Sequence, residues 1–394
     1  MYDHNFHPIK TDLLIIGSGP AGTSTALHLL QQDPSWVDRM LIVDKAVHPR
    51  EKLCGGGITH LGENVLSDLG LAIEPSNFEV KEVRLKYEDK SYSFRGDPVF
   101  RIVHRAEFDH WLVQEVEKLG GTISQGEGVT DVRPNDAAGY IEVVTDQRII
   151  HAKTVVAADG SRSIVRRKLG WNDGSHVARL IEVLTPETAE SSWEFRDGVA
   201  VFDFSQMTSH QVQGYYWDFP SIVDGKTLMN RGVFDSRARP ELEKANLKKT
   251  LSDSMENRER SLEEKSIKGH PIRWLNMRSN LSRPHLLLAG DSAGADPLFG
   301  EGIAIALAYG KVAAAEIEYA FATNDFSFSK YKRSILRNWV LLSVVVRVGI
   351  ARFAYRFQNR RFFKVGWSIA RFIIGLTPWS RPDFVPARPP VLKN

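Results

Sequence analysis

The sequence predicts an α/β fold, with a doubly wound parallel sheet, a second domain on an antiparallel sheet and a helical C-terminal region. Continuous apolar runs such as residues 11–17 end in glycine and precede helical patterns, which is typical of strands buried on both faces of a parallel sheet. An alternating aromatic run at 214–220 predicts a strand of the second domain. The length of 394 residues allows two or three domains.

The composition is that of an ordinary globular protein. Hydrophobic residues make up 42% and charged residues 25% of the chain, which argues against a disordered or fibrous protein. The single cysteine, Cys54, cannot form an intramolecular disulfide, so the fold needs no oxidising compartment. The N-terminus has no cationic start before an apolar core, and the apolar runs are too short to span a bilayer. We therefore expect a cytoplasmic protein without a signal peptide or transmembrane helix, and neither a metal site nor a nucleic-acid partner.

A glycine-rich turn lies between the first two predicted strands. Residues 17–22 read Gly-Ser-Gly-Pro-Ala-Gly and lead into a helical pattern, so the glycines allow a sharp turn, close approach of a pyrophosphate and close helix packing. The second strand ends in Asp44, where a carboxylate can accept the ribose hydroxyls. This predicts a Rossmann-like dinucleotide site, for FAD or for a nicotinamide dinucleotide; a glycine turn without a ligand is the alternative. The predicted contacts are Gly17, Gly19, Pro20, Ala21, Gly22, Asp44 and Lys45.

Three later segments favour FAD. One predicted strand ends in Gly-Asp at 290–291 and precedes a Pro-Leu-Phe-Gly-Glu-Gly turn at 297–302; another ends in Asp-Gly at 159–160; residues 105–109 read Arg-Ala-Glu-Phe-Asp. Together they resemble the fingerprints of aromatic-hydroxylase-like flavoproteins. The resemblance implies contacts with the phosphates, the ribityl chain and the flavin, where a glycine-rich helix start offers free N–H groups. The implied contacts are Arg105, Asp159, Gly160, Gly290, Asp291, Pro297, Gly300, Gly302 and Ile303.

A cysteine-glycine loop narrows the resemblance further. Residues 50–58 read Arg-Glu-Lys-Leu-Cys-Gly-Gly-Gly-Ile and are similar to the Cys-Gly-Gly loop of geranylgeranyl reductases. Successive glycines let the backbone pass close to a flat ring. The resemblance implies that Cys54 lies beside the flavin, where it positions or protonates, and that Lys52, Gly55 and Gly56 also contact the cofactor. The alternative is a small thiol that only packs.

An aromatic strand carries the second part of this resemblance. Residues 214–220 fit the Tyr-x-Trp-x-Phe-Pro signature of the same family, and alternation places Tyr215, Trp217 and Phe219 on one face. Such a face suits an isoprenoid chain, with the tyrosine hydroxyl to orient it or donate a proton. An aromatic stripe in a sheet core is the alternative. The family continues to a nearby Gly-x-Gly, whereas this chain has Gly232-Val-Phe234 after a longer spacing.

The resemblance implies a reaction and its rivals. Reduced FAD would deliver hydride to a carbon–carbon double bond of an isoprenoid, with Cys54, Tyr215 and Trp217 as the catalytic candidates. The chief alternative is an FAD-dependent monooxygenase acting on an aromatic or polyketide-like substrate. A halogenase is disfavoured because only Trp217 and Pro220 match the Trp-x-Trp-x-Ile-Pro signature, and a protein that holds FAD structurally is a third reading. NADPH, another reductant or an electron-donor protein could supply electrons.

The domain boundaries and the basic tail complete the prediction. We place the FAD domain at 1–75, 100–175 and 280–320, the substrate domain at 76–99 and 176–279, and the helical region at 321–394. Residues 330–394 hold 14 Lys or Arg against one acid, Asp383. Arg352, Arg356, Arg360 and Lys364 recur every four residues, along one side of a helix. This predicts either a solvated helical cap or a surface at 331–394 that rests on anionic lipid.

Overall fold

The computed structural model describes residues 8–171, 176–263 and 266–355, together with residue 366, and contains two large sheets. Each sheet has eight strands among the described residues. In chain order the strands are β1 (Ile9–Ile16), β2 (Met40–Asp44), β3 (Gly57–Thr59), β4 (Asn77–Tyr87), β5 (Lys90–Val103), β6 (Ile123–Gln125), β7 (Val129–Asn135), β8 (Tyr140–Thr145), β9 (Ile149–Ala157), β10 (Val177–Pro186), β11 (Val199–Asp203), β12 (Gly214–Val223), β13 (Lys226–Asp235), β14 (Lys268–Arg273), β15 (Ser282–Arg283) and β16 (Leu286–Leu288).

Helices connect and cover these strands. The α-helices of the described part are α1 (Pro20–Gln32), α2 (His60–Asp68), α3 (Arg105–Lys118), α4 (Ile164–Lys168), α5 (Trp193–Asp197), α6 (Gln206–Ser209), α7 (Leu247–Glu256), α8 (Ile303–Thr323), α9 (Tyr331–Arg337) and α10 (Trp339–Ala354). In the part of the chain that the structure describes, short 3-10 helices also lie at Pro34–Asp38 and Gly290–Ser292.

The first sheet has a parallel centre. Its strands lie in the order β15-β16-β9-β1-β2-β6, and every pair from β16 to β6 is parallel, while β15 and the β7–β8 hairpin are antiparallel. Leu13 to Ile15 are fully buried, as expected for a continuous apolar strand covered on both faces. The same core includes residues of α1, α3 and α8. The predicted doubly wound α/β fold is confirmed.

The second sheet is largely antiparallel. Its order is β14-β10-β13-β12-β11-β4-β5-β3, with β11 and β4 as a parallel pair. Strand β3 and the last residues of β5 lie in segments that we assigned to the first domain, but they pair with each other in the second sheet. The chain therefore passes from the first sheet to the second through the glycine loop that precedes β3.

The described C-terminal region is helical, as predicted. Helices α9 and α10 meet at an angle of 90°, and Asn338 caps α10 by accepting from Leu341 N–H at 3.2 Å. Within the described residues, no single helix has the length and apolar character needed to cross a membrane, although this bent pair together has that length and composition. Of the predicted basic series, Arg352 ends up exposed on α10, and Arg356, Arg360 and Lys364 lie outside the described residues.

Candidate functional site

Four predicted motifs meet at one edge of the first sheet. Strands β1, β2, β9 and β16 are parallel neighbours, so their carboxyl ends lie side by side. Gly17 follows β1, Asp159 follows β9, and Gly290 with Asp291 follows β16, while Asp44 ends β2. Ligands of open α/β sheets bind at this edge. The motifs border a cavity of about 1580 Å³.

The glycine turn has the geometry that its sequence predicts. Gly17 has φ +102°, and a Cβ there would lie 2.5 Å from Ala158 O. A Cβ on Gly22 would lie 1.9 Å from Gly17 O, so Gly22 lets α1 pack closely and lies behind the cavity wall. Helix α1 starts at Pro20, and its free N–H groups face the cavity end where an anionic ligand is favoured.

Asp44 is held in a fixed orientation. Its Oδ2 accepts from Ser18 N–H at 2.7 Å and from Ser18 Oγ at 2.8 Å, and its Oδ1 accepts from Ala46 N–H at 2.9 Å. An ionised carboxylate has about four acceptor positions, so one is left for a ligand hydroxyl. Asp44 and Lys45 both line the cavity.

Two arginines share one buried carboxylate beside this turn. Arg105 donates Nε to Asp109 Oδ1 and Nη2 to Asp109 Oδ2, each at 2.7 Å, and Arg50 Nη2 lies 3.0 Å from Asp109 Oδ2. Burial alone would raise the pKa of Asp109, but Arg105 and then Arg50 hold it below its usual value. The cluster keeps one net positive charge at the cavity, which suits a pyrophosphate. Sequence reasoning missed Arg50, although it opens the 50–58 motif.

The second fingerprint forms the floor of the cavity. Gly290 and Gly300 have φ of +64° and +69°, and Asp291, Gly302 and Ile303 line the cavity with them. Pro297 lies behind this lining, where its carbonyl accepts from Ser236 Oγ at 2.6 Å.

Asp159 provides a direct test of whether a polar ligand fits. It lines the cavity with Gly160 and is half-buried, with its Oδ1 shielded from solvent. Its Oδ2 accepts from Val165 N–H at 3.1 Å, but Oδ1 has no hydrogen-bond partner among the described residues. Burial raises the pKa of Asp159. A half-buried carboxyl whose Oδ1 lacks a partner fits a ligand that offers a hydroxyl or N–H group, as the ribityl and flavin parts of FAD do.

A lysine and a histidine from distant segments complete the polar end. Lys52 Nζ lies 2.8 Å from His270 Nε2, which is also 3.1 Å from Ser161 Oγ. Burial and the Lys52 charge lower the pKa of His270 to about 4, so the imidazole is neutral and accepts from Lys52. Lys52 was predicted from sequence; His270, 218 residues away, gave no motif that could have revealed it.

The aromatic wall forms the other end of the cavity. Tyr215, Trp217 and Phe219 of β12 all line it, with ring centroids 6.2 and 6.1 Å apart in succession, as strand alternation predicts. The hydroxyl of Tyr215 donates to Phe299 O, and burial raises its pKa well above the usual value. Three further wall residues were not predicted from the sequence: Phe202, Phe204 and Phe234. The alternation of Phe202 and Phe204 was a usable signal for the first two.

The cysteine-glycine loop lies between the two ends. Cys54, Gly55 and Gly56 line the cavity, and Gly56 has φ +77° with a Cβ position only 2.1 Å from Val103 O. Burial would lower the pKa of Arg105, but Asp109 and then Cys54 raise it, which places the thiol beside this guanidinium. The structure thus brings 20 of the 22 predicted site residues to one cavity, all except Gly22 and Pro297.

Helix α10 closes the cavity, which sequence reasoning did not anticipate. Arg347 donates to Asp296 Oδ2 at 3.0 Å and to Glu301 Oε2, and it thereby ties the helix to the 297–302 turn. Thr59 Oγ1 donates to the other oxygen of Glu301 at 2.6 Å. The helix adds further cavity-lining side chains: Trp339, Leu342, Ser343, Val346, Ile350 and Phe353.

Comparison with known proteins assigns the family. A family model described as an FAD binding domain matches residues 10–307, which is more than half of the chain. The chain belongs to this family. It is therefore an FAD-binding oxidoreductase, and the cavity edge that holds Gly17, Asp44 and Gly290 lies within the matched residues.

Relatives of known name extend the comparison. A menaquinone reductase of Mycolicibacterium smegmatis is 26% identical over 347 residues, covering 81% of this chain and 78% of that protein. Digeranylgeranylglycerophospholipid reductase 2 of Methanosphaera stadtmanae is 24% identical over 339 residues, covering 83% and 82%. The predicted resemblance to geranylgeranyl reductases is confirmed at this level.

Solved structures share the fold. A geranylgeranyl bacteriochlorophyll reductase-like protein from Thermoplasma acidophilum has a TM-score of 0.68 at 21% identity, covering 90% of this chain and 92% of the other. A probable FAD-dependent monooxygenase from Pseudomonas aeruginosa has a TM-score of 0.66 at 16% identity, covering 91% and 100%. The fold is therefore common to reductase-like and monooxygenase-like flavoproteins.

Proposed function

We propose that the protein reduces carbon–carbon double bonds of an isoprenoid lipid of the geranylgeranyl type. The observation that carries this proposal is the continuity of one cavity from the glycine turns to the aromatic wall of β12. Its volume of about 1580 Å³ exceeds the roughly 300–1,000 Å³ of a usual ligand pocket, which leaves space for a second, apolar ligand beside the cofactor. Two relatives support the proposal of an isoprenoid substrate, because their names, menaquinone reductase and digeranylgeranylglycerophospholipid reductase, refer to molecules that carry isoprenoid chains.

The chain's residues would hold the cofactor at the polar end. The start of α1, Asp44, and the Arg50–Arg105 pair would bind the phosphates and ribose, with Asp159 accepting from a hydroxyl or N–H group. FAD, once reduced, supplies the hydride chemistry. The protein orients the alkene against Trp217 and Phe219 and excludes water.

A proton must also reach the second alkene carbon. Tyr215 is a poor donor, because its hydroxyl already donates to Phe299 O and burial raises its pKa. Cys54 lies in the same cavity and is half-buried, so we assign the proton to Cys54 and an orienting role to Tyr215.

Product analysis of a wall variant tests this function. Trp217→Ala removes the indole from the wall, and we expect the anaerobic yield of lipid with a two-hydrogen mass gain to fall at least about tenfold while the flavin spectrum is retained. Tyr216→Phe is the matched control, because Tyr216 points to the other face of β12, where its hydroxyl donates to Asp218. An oxygen-containing product formed only with dioxygen would instead identify the monooxygenase alternative.

We further propose that α10 brings the enzyme to a membrane as a peripheral protein. Trp339, Val346, Ile350 and Phe353 line the cavity and are also exposed, Trp339 by 72%. Residues 330–355 contain six Lys or Arg and no acid, which favours an anionic lipid surface. An exposed apolar face at the mouth of an apolar cavity gives a lipid tail a path that avoids water.

Liposome binding of the full chain tests the membrane proposal. Trp339→Glu should weaken binding to vesicles that contain phosphatidylserine, and high salt should weaken wild-type binding. Leu119→Glu, which introduces the same charge at an exposed leucine at the end of α3, is the control. Wild-type binding by Trp339→Glu would refute a role for α10.

A further inference from the structure

The Cys54 peptide is held on both sides by side chains of the second sheet. Its N–H donates to Glu182 Oε1 at 3.2 Å, and its C=O accepts from Asn230 Nδ2 at 3.2 Å. Glu182 belongs to β10 and Asn230 to β13, which pair with each other. The Cys54 loop, defined as residues 51–56, contains no helix or strand, so side-chain contacts hold it on the substrate side of the cavity, and these two act on Cys54 itself.

Asn230 also joins the Cys54 loop to the aromatic wall. Trp217 Nε1 donates to Asn230 Oδ1 at 2.9 Å. A Cβ on Gly55 would lie 3.1 Å from a ring carbon of Phe219 and 3.7 Å from Trp217 Nε1, so the loop packs directly on the wall. One buried amide thus sets the position of the thiol relative to the indole.

Glu182 is a buried carboxyl with an unused oxygen. It is 8% exposed, and its Oε2 has no hydrogen-bond partner among the described residues. Buried polar atoms rarely lack a hydrogen-bond partner, and each exception requires a physical reason. Burial raises the pKa of Glu182 to about 7, a value at which the carboxyl changes charge near neutrality.

Several charged groups act on Glu182 and on the loop. The Cys54 N–H, Asn230 and Lys268 favour the ionised form of Glu182, and Glu51 disfavours it. Lys268 is opposite Glu182 in the β10–β14 register and bonds to Glu51 at 3.0 Å, so these two charges largely compensate each other. On the cofactor side, the thiol faces Arg105 and Lys52.

We propose that Glu182 is a positioning residue, which together with Asn230 fixes the Cys54 peptide against Trp217 and holds it more firmly when ionised. The catalytic meaning of this inference rests on the proposed function. An ionised carboxylate accepts a stronger hydrogen bond than a neutral carboxyl group, so the loop tightens as pH rises through the titration of Glu182. The same negative charge disfavours a second one nearby on sulfur.

The single cysteine makes a direct test feasible. The holoenzyme is alkylated with iodoacetamide between about pH 6 and about pH 8.5, and the rate of single-adduct formation is followed by intact mass. The reactive thiolate of an ordinary cysteine increases about tenfold per pH unit below about pH 8.5. We expect a shallower rise for the wild type around neutrality. Glu182→Gln, which keeps the size and the acceptor oxygen, should restore the tenfold slope and react at least about threefold faster at about pH 8.

Two further variants keep the inference falsifiable. Glu117→Gln changes an exposed carboxyl near the end of α3, outside the Cys54 loop and the cavity lining, and it should retain the wild-type profile. Asn230→Ala removes the other anchor and should speed alkylation at every pH. If Glu182→Gln shows the wild-type pH profile of alkylation, the inference is overturned. If Glu182→Gln does not fold, a wild-type rate of alkylation in Asn230→Ala overturns it instead. Alkylation needs no turnover, so failure of the reductase proposal is detected separately by the product assay.

Discussion

Replacing Arg347 tests how α10 is attached to the cofactor side of the cavity. The guanidinium is 12% exposed, and it is shared by Asp296, which is fully buried, and Glu301, which is nearly so. Arg347→Ala leaves both carboxylates unpaired, and breaking a buried pair costs about 3–5 kcal/mol. Asp296 keeps bonds from the N–H groups of Leu298 and Phe299, and Glu301 keeps Thr59, so we expect the lower end, about 3 kcal/mol.

The assay is thermal unfolding of the holoprotein, and pH supplies a second arm. Burial raises the pKa of Asp296 in spite of Arg347. The negative charge of Asp296 therefore destabilises the fold increasingly as the pH rises above the pKa that Asp296 has in the unfolded chain. Loss of Arg347 raises the pKa of Asp296 further. The stability that Arg347→Ala loses relative to the wild type should therefore be larger at about pH 8 than at about pH 5. Arg352→Ala, an exposed position on the same helix, should cost less than about 0.5 kcal/mol. Equal melting temperatures for Arg347→Ala and Arg352→Ala would refute the reasoning.

Three further predictions concern the cofactor edge and the loop. Asp44→Ala should weaken FAD binding about tenfold or more, measured by flavin fluorescence on dilution, and unchanged occupancy would remove Asp44 as the ribose ligand. Gly56→Ala should destabilise the protein by several kcal/mol or prevent folding, because its Cβ would lie 2.1 Å from Val103 O at φ +77°; a normal melting temperature would contradict the structure. Glu182→Gln should stabilise the fold above about pH 7 by up to about 3.5 kcal/mol, because raising the pKa of an acid from 4.5 to about 7 costs about 1.4 kcal/mol per pH unit once the acid ionises. No gain is expected below pH 4.5, and a pH-independent difference in urea unfolding would contradict this.

The cofactor edge was predictable because its signals are local. The Gly17 turn needs a positive φ and close packing within six residues, and Asp44 ends the next strand, so sequence spacing alone places them together. The aromatic face of β12 follows equally from alternation. Each of these features depends on one element and its neighbour.

The residues that the sequence did not reveal depend on long-range pairing. His270 meets Lys52 across 218 residues, and Glu182 meets Cys54 across 128, and no periodicity records such contacts. The role of α10 was hidden for a different reason. Its apolar residues are compatible with a cap, a lipid surface or a cavity wall, and the choice depends on the long-range ion pairs of Arg347 with Asp296 and Glu301, which hold the helix over the cavity.

Anaerobic reoxidation of the bound flavin tests the central claim most directly. The flavin is reduced with dithionite, excess reductant is removed, and a geranylgeranyl lipid is added while the flavin absorbance and the lipid mass are followed. We predict that the flavin reoxidises without dioxygen and that one lipid gains two hydrogens for each flavin. A flavin that stays reduced until dioxygen is admitted would contradict ene reduction and favour oxygenation.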